Sequence, residues 1–184
     1  AVVEDHFNEL VIDLVNPAGQ PERMQLVVRG YNDGFAFCYK IPDGKGPCVN
    51  VQSELTAYNF AGDYTAWFYN GENHNIGPEK LTETDGTRLP VMTVKAGDKH
   101  YMAIHEACLE TGAPLVLQSK GGESLFSVAS KPTSLSPGYT SAWRVVLYGT
   151  TPGVLTDSHL LELLNPDPDS RYDFSWVKPG LAVW

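Results

Sequence analysis

Two imidazoles, a carboxylate and a thiol crowd into ten residues, His100-Tyr101-Met102-Ala103-Ile104-His105-Glu106-Ala107-Cys108-Leu109. The same ten read as a buried strand that stops on the carboxylate. Side chains alternate along a strand, so Tyr101, Ala103 and His105 line one face and Met102, Ile104 and Glu106 the other. Glu106 thus shares its face with two apolar side chains. An ionised carboxylate in such company is costly unless a cation, an arginine or several donors satisfy it. The chemistry open to it is metal ligation or a structural ion pair. On spacing alone a salt-bridged or rim-exposed structural Glu is the better account, because structural pairs perturb carboxylates as sites do. His100 and His105 fall on opposite faces and cannot chelate one ion between them, and His100 is expected to be exposed.

Other groups carry less. Glu54, in Ser53-Glu54-Leu55, stands beside an apolar pattern and reads as a solvated or ion-paired position. Asp157, Asp167, Asp169 and Asp173 lack the regular spacing and Gly of a calcium loop and read as solvated linker. The run Asn70 to Gly77, with Gly71, Asn73, His74 and Asn75, reads as a loop whose amides and imidazole satisfy turn backbone more often than a ligand. Trp67, Trp143, Trp176 and Trp184 could stack on sugar faces, although large aromatics in a sandwich are usually packing. The sequence has no Gly-rich phosphate loop, HExxH, Gly-x-Ser-x-Gly or CxxC, so the chain alone reads as non-catalytic.

The elements that must position these groups are strands. Phe7 to Val15 alternates into one apolar face, Leu10, Ile12 and Leu14, and predicts a strand with one wet side. Asn16 to Pro21 punctuates it, Met24 to Arg29 predicts a second strand, and Asp33-Gly34 is a tight-turn signal before a third with Phe35, Phe37 and Tyr39 on one face. Val49 to Phe60, with Leu55, and Tyr64 to Tyr69 are β-rich, as are Leu89 to Val94, Leu115 to Gln118 and Ser141 to Tyr148. Only Leu155 to Leu164 offers helix, with Leu155, His159, Leu160 and Leu163 on one face after a cap at Thr156 or Asp157, and an extended reading fits that stretch equally well. Asn165-Pro166-Asp167-Pro168-Asp169 is too proline-rich for a sheet interior, and Leu181 to Trp184 closes on an apolar run, as expected if a further domain followed.

With 184 residues the chain suits one sizeable all-β core. Thirteen Lys and Arg against 22 Asp and Glu, net −9, give no basic footprint for nucleic acid. No apolar run approaches the ~20 residues of a membrane helix, and neither nucleic acid nor membrane is an expected partner. Cys38, Cys48 and Cys108 fit no zinc spacing. If Asp43-Gly44-Lys45-Gly46 is a hairpin loop, Cys38 lies beyond the position opposite Cys48, so free, partly buried thiols are expected.

Several stretches together resemble the amino-terminal region of glycoside hydrolase family 97. They are Asp33-Gly34-Phe35-Ala36-Phe37, Glu54-Leu55-Thr56-Ala57-Tyr58, Ala103-Ile104-His105-Glu106-Ala107, Trp143-Arg144 and Trp176-Val177-Lys178-Pro179-Gly180, and they span nearly the whole chain. Cys38, His105 and Cys108 depart from the residues usual there. The resemblance implies an all-β, antiparallel β-super-sandwich of galactose-mutarotase type over 1–165, lacking its first strands, and a linker over 166–184 toward a (β/α)8 barrel outside this chain. It implies an exo-acting α-glucosidase or α-galactosidase, periplasmic or secreted, acting on oligosaccharides with its acid and base on that barrel. It also implies a calcium ion to which Glu106 contributes one ligand across the domain interface. That role fails if the pair of carboxylate oxygens turns inward onto an arginine or out into bulk solvent, away from the surface where the barrel would dock. Two other readings compete: a stand-alone carbohydrate-binding sandwich that uses the exposed aromatics and the Asn70 to Gly77 loop, and a purely structural interaction domain.

Overall fold

Thirteen strands run through the residues described by this computed structural model, which are 3–15, 23–69, 71, 75–166 and 172–181. They are β1 (Asn8–Val15), β2 (Arg23–Tyr31), β3 (Gly34–Lys40), β4 (Val49–Val51), β5 (Ala57–Asn59), β6 (Thr65–Tyr69), β7 (Asn75–Lys80), β8 (Asp85–Lys95), β9 (Tyr101–Ala107), β10 (Leu117–Lys120), β11 (Leu125–Val128), β12 (Thr133–Leu135) and β13 (Trp143–Gly149). Two short helices follow, α1 (Pro152–Asp157) and α2 (Leu160–Leu163). The ladders between these strands are antiparallel, as an all-β sandwich with short helical pieces requires.

One layer runs β1-β2-β3-β13-β9-β8-β6-β7 and the other β8-β10-β11-β5, with β4 and β12 as a separate pair. Strand β8 belongs to both layers. Its Met92–Lys95 half pairs with β9, and its Asp85–Arg88 half pairs with β10. Pro90 falls between those halves, where it has no register partner, so its missing N–H removes no ladder bond.

Period-two alternation then divides the core. Met92, Val94 and Ile104 point between the layers and meet Leu115, Leu117, Phe126 and Val128. Ala36, Cys38, Ala103, Val145 and Leu147 point to the opposite face, where Leu160 and Leu164 of the helical segment cover them. On β3 the small residues Ala36 and Cys38 are the buried ones, while Phe35, Phe37 and Tyr39 turn to the other face and Phe35 is exposed. Gly34 lets β3 start hard against β13, since a Cβ there would collide with the Val146 carbonyl oxygen and lie 3.1 Å from Leu160 Cδ1.

Five sequence expectations need correction. All eight residues of β1 are exposed, so Leu10, Ile12 and Leu14 have no dry side; β1 is an edge strand, and the smaller layer ends at β5. The helical segment starts earlier than Thr156: Thr151 stands at the N-terminal boundary of α1 without a side-chain capping bond, Pro152 opens its first turn, and His159 precedes α2. Its buried residues are Leu160 and Leu164, and His159 is exposed. Between Val49 and Phe60 only β4 and β5 are strands, and Leu55 is 88% exposed. The cysteines are free, but Cys48 is exposed rather than partly buried. Asn75 and Gly77 lie in β7 rather than in a loop, and Asn70, Asn73, His74, Asp167, Asp169 and Trp184 lie outside the described residues.

Candidate functional site

Strand β9 places Glu106 where alternation puts it. Ala103 joins the helix-covered core and Ile104 the core between the layers, so Glu106 enters the inter-layer side one residue before the strand ends. The end is abrupt because Cys108 adopts the left-handed region, φ 54°, which a non-glycine residue enters at a cost of about 1–2 kcal/mol. Its N–H donates to Asn165 Oδ1 at 2.9 Å, tying that turn to the end of α2. The chain then doubles back, and the Leu115 N–H donates a hydrogen bond to Glu106 Oε2.

Strand β13 supplies the cation. Arg144 pairs in register with Glu106 on one side and Phe37 on the other, so all three share a face. It is a buried charge, 3% exposed. Its Nε donates to Glu54 Oε1 at 3.1 Å and its Nη2 to Glu54 Oε2 at 2.7 Å, a two-point fork. Its Nη1 donates to the Ala113 carbonyl at 3.3 Å and lies 3.8 Å from Glu106 Oε2. Burial alone would lower the guanidinium's pKa, but the hydrogen bonds and charge of Glu54, together with the charges of Tyr58 and Glu106, raise it. Tyr58 of β5 completes the cluster. Burial pushes its phenol well up against the pull of Arg144, and its hydroxyl has no hydrogen-bond partner among the described residues.

Two carboxylates therefore face one guanidinium, and the group carries a net charge of −1. Glu54 takes the fork, whereas Glu106 has one oxygen held by Leu115 and, more distantly, Arg144. Glu106 Oε1 makes no hydrogen bond among the described residues. So the oxygens do not both turn onto the arginine. A hard cation such as calcium takes about six to eight oxygens. Among the described residues no three His, Cys, Asp or Glu side chains gather to hold one. The site fits as a donor of one oxygen and of residual negative charge to an ion held mainly by other groups.

Glu54 was legible only as a solvated or ion-paired strand position; it is ion-paired, lies between β4 and β5, and its partner is 90 residues away. His100 is exposed and bonds Tyr148 Oη at 2.7 Å. His105 lies on the opposite face of β9 from Glu106. Its Nδ1 lies 2.8 Å from the Glu106 backbone nitrogen and 3.1 Å from the Glu106 carbonyl oxygen, so the ring is held against its own strand. There it joins Trp67, Tyr69, Asn75 and Thr93 around an open cavity of about 400 Å³. Trp143 is buried, Trp67 is partly exposed and Trp176 is largely exposed. No described helix is long and apolar enough to cross a membrane.

A family profile described as glycosyl-hydrolase 97 N-terminal matches residues 1–166. A probable retaining alpha-galactosidase from Streptomyces bingchenggensis (strain BCW-1) is 29% identical over 182 residues, covering 88% of this chain and 26% of that protein. A glycoside hydrolase family 97 enzyme from Pseudoalteromonas sp. strain K8, solved in complex with acarbose, superposes with a TM-score of 0.79 at 25% identity, covering 97% of this chain and 28% of that one. A beta-arabinopyranosidase shares the fold at 17% identity, with a TM-score of 0.68 over 80% of this chain and 28% of that one. The chain thus spans about a quarter of the length of these relatives.

Proposed function

The chain belongs to the glycosyl-hydrolase 97 N-terminal family, and from that premise we propose that it is the N-terminal domain of a calcium-dependent, exo-acting α-glycoside hydrolase, an α-glucosidase or α-galactosidase. In this reading the sandwich lends Glu106 to a calcium ion and forms one wall of a pocket whose acid and base sit on an adjoining (β/α)8 barrel. The observation that carries it is the unequal sharing of Arg144. Glu54 neutralises the guanidinium, and Glu106 keeps unspent charge and one oxygen that makes no hydrogen bond among the described residues. The acarbose complex of the Pseudoalteromonas relative supports an oligosaccharide substrate.

This chain's own residues do three things in that site. Leu115 N–H fixes the orientation of Glu106 Oε2, the buried Arg144 sets a positive charge 3.8 Å from that oxygen, and the Cys108 turn stops the strand so that the side chain lies at its end. Bound calcium would supply a fixed positive charge at the sugar-binding pocket. The test is Glu106→Gln in the intact enzyme, with bound calcium measured by equilibrium dialysis after chelator treatment and turnover on aryl α-glucosides and α-galactosides. Weaker retention and lower turnover are expected, and unchanged calcium retention overturns the role of Glu106.

The cavity beside His105 favours a second reading, direct sugar binding by the sandwich, because it sets the partly exposed Trp67 among polar groups. Calorimetry with maltose and with galactosides distinguishes it: heat of binding that Trp67→Ala abolishes supports it, and no heat overturns it.

A further inference from the structure

Arg144 has one positive charge and two carboxylates to answer, and it answers them unequally. Both of its outer donors on one side, Nε and Nη2, go to Glu54 in the parallel fork that suits a guanidinium and a carboxylate. Only Nη1 remains on the Glu106 side, and it donates to the Ala113 carbonyl while standing 3.8 Å from Glu106 Oε2, beyond hydrogen-bond distance.

Without Glu54 only the Ala113 carbonyl on Nη1 and the Leu115 N–H on Glu106 Oε2 would oppose a full Arg144–Glu106 pair. The two residues are register partners on adjacent strands, their faces coincide, and a small rotation of the guanidinium would bring Nη1 into contact. A buried carboxylate closed onto a guanidinium is a poor ligand for a second cation, because the ion must displace a charge already paired in a dry environment.

We propose that Glu54 is a positioning residue for the Glu106 site: by holding Arg144 in a two-point fork, it keeps the guanidinium from closing on Glu106 and leaves that carboxylate open to a divalent cation. This rests on the reading of Glu106 as a calcium ligand and adds a residue that touches neither ion nor sugar. Glu54 reaches the site from the segment between β4 and β5, so the ligand on β9 depends on a contact 90 residues distant in sequence from Arg144.

The experiment is calcium titration of the intact enzyme by isothermal calorimetry, with the calcium-induced rise in melting temperature as a second readout. Glu54→Gln keeps the shape and removes the charge. It is expected to raise the calcium Kd at least about tenfold, the scale on which a neighbouring charge changes a carboxylate's preference for a cation. The double variant Glu54→Gln/Arg144→Gln removes the competing guanidinium and is expected to regain most of that affinity. Unchanged Kd in Glu54→Gln overturns the proposal, and so does a loss that the double variant fails to recover. If Glu54→Gln does not fold, Glu54→Asp serves: its shortened carboxylate opens the fork, an intermediate rise in Kd is expected, and a native Kd overturns the idea. Glu106→Gln in the same titration separates the two levels, since native calcium affinity there removes the ligand assignment itself.

Discussion

Arg144 holds Glu54 through two nitrogens, at 3.1 and 2.7 Å, across 90 residues of sequence and from a position 3% exposed. Such a charge is stable in place only while its partners remain. Arg144→Gln alone leaves Glu54 and Glu106 as neighbouring carboxylates without a cation, and a loss of about 3–5 kcal/mol is expected. Glu54→Gln/Arg144→Gln should cost distinctly less, because it removes one of the stranded charges as well. Urea denaturation of wild type and both variants checks the order, and equal losses would mean the fork contributes nothing to the fold.

Gly34 is a packing residue. Its missing Cβ makes room for the Val146 carbonyl and Leu160. Gly34→Ala should destabilise by about 1–3 kcal/mol through forced separation of β3 from β13. Gly44, with open space around it, is the control, and its alanine variant should melt within a degree or two of wild type.

Thiol chemistry separates the three cysteines. Burial pushes Cys38 up to about 11 from an ordinary 9.0, so at pH 8 its thiolate is scarce and its access blocked. Iodoacetamide should modify exposed Cys48 first and leave Cys38 intact until the chain unfolds, as peptide mapping would report. A thiol raised in the folded state adds stability that is complete below pH 9 and lost as the pH climbs through about 11. Cys38→Ser, with a hydroxyl that does not titrate there, should flatten the alkaline limb of the melting-temperature profile.

Strand β1 is an exposed edge with apolar side chains on both faces: Leu10, Ile12 and Leu14 on one, Val11 and Val15 on the other. Long apolar edges invite pairing with another chain. The isolated chain should self-associate with rising concentration, and Ile12→Lys should suppress this while changing stability by no more than about 0.5 kcal/mol. Sedimentation velocity reads the first effect and thermal denaturation the second.

How far the sequence could be read followed from the range of the interaction. The faces of β9 were legible, because alternation is local and the strand is buried on both sides; it put Ile104 and Glu106 together correctly. The turn at Asp33-Gly34 was legible for the same reason. The Glu54–Arg144 fork was not, since nothing local announces a partner 90 residues away. The apolar stripe of β1 was read correctly as a stripe and wrongly as dry, because a pattern states what a strand can bury and not whether anything covers it. The helix cap was misplaced because Thr156 and Asp157 suit a cap by residue type, whereas α1 begins at Pro152 after a Thr151 whose side chain makes no capping bond.

One strand has a mechanical consequence for the whole body. Because β8 serves as a beam common to both layers, neither can peel away without unzipping half of the other's inner support. The sandwich should therefore melt as a single cooperative block, and the amides of Met92, Val94 and Ile104 should exchange with deuterium only through global opening, at the same rate as those of Leu117 across the core.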